Sequence, residues 1–450
     1  MLNLNNHQRQ TIGLDHILHQ LAPTTPYGRQ KLQAMAPYTC AATLNRHFDN
    51  IEKLTGQNTQ PLRDILSHFK NIRGILSKLA DSPLNEVELF ETKGFLLTFE
   101  RFMPIITEIN ARLQLSHISF VPMAVALDIL DPKKSRIAPF SLLEFSDILA
   151  KCAASCPPNS SEATIAEELR IMTDLSDKLR PHIPAFNHNI HNLGQLDLTM
   201  AKAALAARHN CVRPKISQTT VALQDMTNPM IAAALAEHGR AITPVSLTLE
   251  AGKPTIITGA NMGGKSVAIK TAALNVALCG LGLFAFAAKA EIPLFDGIFL
   301  VSQDLQSAAA GLSSFGGEVA SLNTLAARLP HDFLFIALDE PARATNPAEG
   351  AAIVRAIATW LADCGSVSLL STHYDNITAQ NAKYYRVAGL TNLPQNLEES
   401  DIADHMDYRL IETTAADPIP KDALKICRLM GLDDNLMTKI EEEYKNPDRR

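Results

Sequence analysis

A chain of 450 residues, 46% hydrophobic and 20% charged, is long enough for two or three domains with a large core and too apolar for global disorder. Its formal net charge of −6 excludes a chain-wide electrostatic pull toward nucleic acid, so any DNA binding must come from a local patch. Seven scattered cysteines without a C-x-x-C pair exclude a disulfide frame or a cysteine zinc site; the start lacks an apolar leader and the longest apolar run, 276–288, is too short to span a bilayer, which together place the protein in the cytoplasm.

Residues 1–215 read as a helical domain. Leu62, Ile65, Leu66, Phe69, Ile72, Ile75, Leu76 and Leu79 recur at three and four, which predicts one helix of about five turns stopped by Asp81-Ser-Pro83. Further helices are expected from Glu86 through Phe102, from Phe140 to Ala150 and from near Glu162. His182, His188 and His191 lie close together without a carboxylate or thiolate at ligand spacing, so they read as solvated or hydrogen-bonded histidines. Lys133, Lys134 and Arg136 form the densest basic cluster, a solvated turn or else a phosphate contact.

From 216 to 450 short β-like runs alternate with helices, the pattern of an α/β nucleotide-binding domain. The clearest strands are Thr255–Thr258, Phe333–Leu338 and Ser366–Leu370, each ending at a turn that could carry chemistry. The first runs into Gly259-Ala-Asn-Met-Gly-Gly-Lys-Ser266, spaced G-x-x-x-x-G-K-S. Glycines let backbone N–H groups wrap a phosphate, the following helix adds its positive end, Lys265 reaches the outer phosphates and the Ser266 hydroxyl ligates Mg²⁺. The second strand ends in two acids: Asp339 is expected in the Mg²⁺ shell and Glu340 beside the attacking water. The third delivers His373 to the same sheet edge, where it can hydrogen-bond a terminal phosphate. Leu312-Ser-Ser-Phe-Gly-Gly-Glu318 opens a helix, and Ser314, Gly316 and Gly317 are expected to cap ATP held by a second subunit, since this chain already owns a phosphate loop.

The stretch Thr258 to Ser266 resembles the phosphate loop of the MutS family of mismatch-repair ATPases, with Asn261, Met262, Gly263 and Gly264 in its narrower spelling. Phe295-Asp-Gly-Ile-Phe299, Gln303-Asp-Leu305, the turn from Ser314 to Glu318, Leu338-Asp-Glu340 and Ser371-Thr-His-Tyr374 are similar to successive motifs of that family. So are Leu196-Asp197 to Ala201-Lys202 and Val212-Arg-Pro214 upstream, and His405-Met-Asp-Tyr408 and 423–433 downstream. The resemblance implies a helical core or lever domain over 1–215, then an ABC-type ATPase domain over 216–450 with a central, largely parallel sheet. It also implies ATP and Mg²⁺ as cofactors, composite sites in a homodimer or a heterodimer with a related subunit, and a short form without the family's mismatch-binding and connector domains.

Four departures qualify that reading. Ala342-Arg343-Ala344-Thr345 stands where the family has Gly-Arg-Gly-Thr, which narrows the backbone beside the acids and predicts slow hydrolysis. Glu349-Gly350 replaces Asp-Gly, Asn228-Pro229 replaces His-Pro, and no Phe, Tyr or Trp lies between 231 and 257, where the family stacks the adenine. Two clients follow: DNA in mismatch repair, as the family implies, or a partner protein remodelled by the same engine, such as a cobalamin-dependent aminomutase reactivated without DNA binding. The acidic balance favours the second and the motifs favour the first.

Overall fold

The structure, a computed structural model, describes residues 2–154, 162–259, 263–301, 314–375, 377–390, 406–415, 417, 424, 427–428 and 431–445. The expectations placed on Asn261, Met262, Gln303-Asp-Leu305 and His405 lie outside the described residues. The chain combines helices with two mixed sheets containing parallel strands.

By contact it divides into two units, one made of 1–20, 36–45 and 209–450, the other of 21–35 and 46–208. That outline differs from a single cut at 215, because the first twenty residues hydrogen-bond to strands far along the chain. The Ile298 N–H donates to the Leu2 carbonyl at 3.0 Å, and the Gln8 side chain donates to the Leu300 carbonyl at 2.7 Å. Asn228, in the Asn-Pro position noted above, accepts from Met230 N–H at the start of helix Pro229–Ala236 and donates to the Ile12 carbonyl at 3.0 Å. Leu14 and Ile17 are fully buried as a result.

In this first unit Lys215–Ser217 (β1), Thr220–Met226 (β2), Val245–Glu250 (β3) and Lys289–Pro293 (β5) form a four-stranded sheet in the order β1-β5-β2-β3. Thr255–Thr258 (β4), Gly297–Val301 (β6), Leu334–Leu338 (β7), Val367–Ser371 (β8), Lys383–Leu390 (β9) and Met406–Thr413 (β10) form the second, in the order β10-β9-β4-β8-β7-β6. All its pairings are parallel except β10 with β9. Every residue of β7 and β8 is buried; β7 reads as an unbroken apolar run rather than an alternating one, and β8 buries Ser368 and Ser371 along with its apolar residues. Parallel register brings the ends of β4, β7 and β8 together, with Ile257 opposite Ser371 and Leu338 opposite Leu370. The three segments marked as chemical in the sequence therefore finish at one edge of one sheet.

In the second unit the described elements are all helices. The single helix expected over 62–79 is two, Gln60–Leu66 and Arg73–Asp81. The Tyr27 hydroxyl causes the break: it donates to the Lys70 carbonyl at 2.7 Å and accepts from Ile72 N–H at 3.2 Å, taking backbone groups that a continuous helix would pair internally. Asn85 and Glu88 form a reciprocal cap that starts helix Glu86–Leu113. The stretch expected as a helix over 140–150 is a 3₁₀ turn, Leu142–Phe145, followed by helix Asp147–Ala154. Phe69, Phe95, Phe99, Phe102 and Phe186 make a chain of ring contacts 5.2–6.2 Å apart in the core. Two residues of the basic cluster are engaged: Lys134 pairs with Asp128, and Arg136 with Asp128, Asp131 and Glu100. His188 meets the Ser119 carbonyl at 3.1 Å and His191 meets Lys31 at 3.2 Å, the hydrogen-bonded histidines expected.

Candidate nucleotide site

β4 enters the site through Gly259, whose φ of 135° is open to glycine, and a Cβ there would lie 3.3 Å from Val387 of β9. Gly264, at φ 83°, precedes helix Lys265–Gly280, and a Cβ on it would press within 3.1 Å of the Tyr408 ring. The bare backbone therefore lets Tyr408 of β10 close over the turn. Lys265, the first residue of that helix, is 3% exposed; its Nζ donates to the Gly259 carbonyl at 2.8 Å and stands 3.3 Å from Glu340 Oε1. A buried ammonium held by a carbonyl and a carboxylate is poised to exchange them for phosphate oxygens.

At the end of β7, Asp339 and Glu340 are both buried. The Ser371 hydroxyl organises them: it donates to Asp339 Oδ1 at 2.6 Å and accepts from Glu340 N–H at 2.9 Å. Glu340 Oε2 accepts from Arg343 Nη1 at 3.2 Å and lies 3.8 Å from His373 Nδ1. Burial holds His373 below the ordinary histidine range; Glu340 pulls the other way, while Lys265 and Arg343 add to the lowering. A neutral imidazole is thus the resting form. Its buried Nδ1 has no hydrogen-bond partner among the described residues, which leaves a polar atom for something entering the site.

Of the two alanines after the acids, only Ala342 carries a positive φ, 60°, and Glu340 has 51°. The left-handed region costs an L-residue about 1–2 kcal/mol, so the strain expected from the Gly-to-Ala departures is concentrated at one of the two positions.

A cavity of about 700 Å³ opens here, the size of a small-ligand site. Gly263, Gly264, Lys265, Ser266, Glu340 and Arg343 line one part of it, and Ile231, Leu235, Ile242 and Met406 line an apolar part together with Tyr408. Sequence reasoning missed Tyr408 and Met406 as site residues, although it had singled out their segment; the alternation of β10 signals a strand but not which glycine its tyrosine will cover. Among the described residues no group of three or more His, Cys, Asp or Glu could hold a metal unaided. Of the pair expected to hold Mg²⁺, Ser266 lines the cavity, whereas Asp339 is not among its lining residues and accepts from the Ser371 hydroxyl; that ion commonly takes one or two protein ligands and completes its shell with phosphates and water.

Ser314 begins helix Ser314–Arg328, with Gly316 and Gly317 half-buried in its first turn and outside the lining of the cavity. Phe315 packs on a cluster that includes Ile256, Ala342, Val354 and Tyr374.

Residues 255–446 match the family model for MutS domain V. The chain is 34% identical over 214 residues to an Endonuclease MutS2 of Leuconostoc mesenteroides, covering 47% of this chain and 26% of that protein. To an Endonuclease MutS2 of Leuconostoc citreum it is 31% identical, over 60% of this chain and 32% of that one. A DNA mismatch repair protein MutS of Syntrophomonas wolfei is 28% identical over 63% of this chain and 32% of its own length. The chain thus spans about a third or less of the relatives it matches.

Proposed function

Residues 255–446 belong to the MutS domain V family, and from that premise we propose that the protein is a cytoplasmic, dimeric ATPase of mismatch-repair type that acts on DNA. The observation that carries the reading is the meeting of Lys265, Glu340, Arg343 and Tyr408 at one cavity over the Gly264 turn. In it, Lys265 leaves Gly259 and Glu340 to pair with the outer phosphates, while backbone N–H groups of the 259–264 loop, Asn261 and Met262 among them, wrap the remainder. Mg²⁺, held by Ser266 and Asp339, would supply charge neutralisation at the phosphate oxygens. Glu340, freed from Lys265, orients and polarises the attacking water, and neutral His373 offers its Nδ1 face to the terminal phosphate. Tyr408 supplies the aromatic wall that the 231–257 segment lacks. Ser314, Gly316 and Gly317 cap the nucleotide of the facing subunit in a two-fold pair. Among the described residues no helix is long and apolar enough to cross a membrane.

The test is analytical ultracentrifugation of Glu340→Gln, together with its turnover. The variant should sediment as a dimer with ATP and as a monomer with ADP, and hydrolyse about ten- to a hundredfold more slowly than the parent. A monomer in both states would remove the composite site, and unchanged turnover would remove Glu340 from its role.

A second client has an observation of its own. On the helical unit Arg170, Lys178 and Arg180 each pair with a carboxylate one turn away, and Lys134 and Arg136 are paired with more distant ones, while Val125, Ile148 and Leu169 are 69%, 59% and 57% exposed. Paired cations are poor phosphate ligands and exposed aliphatic side chains suit a protein. Titrating duplex DNA against salt separates the two: a steep salt slope supports DNA, and absence of binding at about 50 mM salt puts the remodelled protein first.

A further inference from the structure

Pro341 sits between two residues in the left-handed region, Glu340 at φ 51° and Ala342 at φ 60°. Such a conformation persists where surrounding groups over-determine it, and at Ala342 they do so from both sides of the residue. Its N–H donates to Glu318 Oε2 at 2.8 Å, and its carbonyl accepts from the Tyr374 hydroxyl at 2.8 Å. Room for that hydroxyl comes from Gly350, where a Cβ would lie 2.2 Å from it and 3.0 Å from the Ala342 carbonyl oxygen. The Ala342 methyl is 1% exposed in the cluster with Ile256, Val354 and Tyr374, so burial offsets part of the strain that glycine would have avoided.

We propose that Glu318 and Tyr374 are positioning residues for hydrolysis: they clamp Ala342 in its left-handed conformation and thereby hold Glu340, two residues earlier, at the cavity. This rests on the reading of Glu340 as the residue that orients water. The clamp joins elements that otherwise answer to different ligands. Glu318 belongs to the first turns of helix Ser314–Arg328, which in the proposed dimer faces the partner's nucleotide, and Tyr374 follows His373, its ring 4.3 Å from the imidazole. A shift of either element changes the backbone that carries Glu340, so each site is prepared by the occupancy of both. Burial raises the Glu318 carboxyl above its ordinary range, and the Ala342 N–H opposes that shift.

Glycine adopts φ near +60° without help, and this provides the test. Wild type, Glu318→Ala, Ala342→Gly and the double variant are compared for turnover of MgATP. Glu318→Ala should lower kcat about ten- to a hundredfold with KM within about threefold, and adding Ala342→Gly should recover most of the loss. Glu318→Gln, which keeps an acceptor oxygen, should stay within about threefold of wild type. Normal kcat in Glu318→Ala, or no recovery in the double variant, overturns the proposal. The same four proteins are melted without nucleotide: Ala342→Gly should raise the melting temperature of Glu318→Ala by several degrees more than that of wild type, and equal shifts would overturn the clamp. If wild type shows no turnover, the hydrolysis reading fails, and the melting comparison still decides the clamp. Should Glu318→Ala not fold, Tyr374→Phe removes the opposite bond and is rescued, or not, by the same glycine.

Discussion

Lys265 and Glu340 in the nucleotide unit are buried charges that converge on a cavity, whereas in the helical unit Lys93 and Asp131, both fully buried, meet each other at 3.4 Å. Lys93 also donates to the Pro139 carbonyl at 2.8 Å, and Asp131 accepts from Ser135 and from the backbone and side chain of Arg136. Burial pushes the Asp131 carboxyl up, yet the Arg136 N–H, the Ser135 hydroxyl and the Lys93 charge together hold it down at about 2. Lys202, packed 3.2 Å from His47, is drawn down to about 7 by burial. A desolvated ion is costly in either unit. The difference is what satisfies it: in the helical unit the protein closes the shell itself, and in the nucleotide unit the shell faces a space that phosphate can enter.

That contrast can be broken by removing one cation from each unit. Lys265→Ala should carry the largest effect, taking ATP binding below detection by calorimetry while the fold survives, because the Glu340 carboxylate it leaves borders a cavity that water can reach. Equal ATP affinity in the variant would mean that this lysine is structural. Lys93→Met should act the other way round, lowering stability to urea by roughly 3 kcal/mol, the low end for a broken buried pair because Arg136 still holds Asp131. Nucleotide affinity should not change, and a loss of affinity would show the two kinds of buried charge to be coupled. The smallest effect sharpens the open side of the comparison: Tyr408→Ala should weaken ATP about fivefold through lost stacking, on the order of 1 kcal/mol. An unaltered Kd would place the base elsewhere.

How much of this could be read beforehand follows from the range of each interaction. The Gly259 and Gly264 turn was spelled by adjacent residues, and the strand expected over 255–258 is found with those bounds, because backbone conformation and burial on both faces leave local marks. The acids of β7 and His373 after β8 were legible as strand ends for the same reason. The broken helix at 67–72 was not, since its cause is a hydroxyl 43 and 45 positions away that leaves the apolar period intact. Tyr408 was missed on like grounds: its place over Gly264 depends on the antiparallel pairing of β10 with β9, and pairing partners are not written in a strand's own alternation.

The hydrogen bond from Gln8 to the Leu300 carbonyl joins residues 292 positions apart. On a ribosome adding about 5–20 residues per second, the first of them waits about 15–60 s for its partner to be made. Residues 46–208 have by then emerged and can fold on their own contacts, while the apolar faces of Leu14 and Ile17 remain uncovered. The order of events in the growing chain is therefore helical unit first and nucleotide unit last, sealed by its oldest residues. An early segment held open this long is where a chaperone would find the nascent protein.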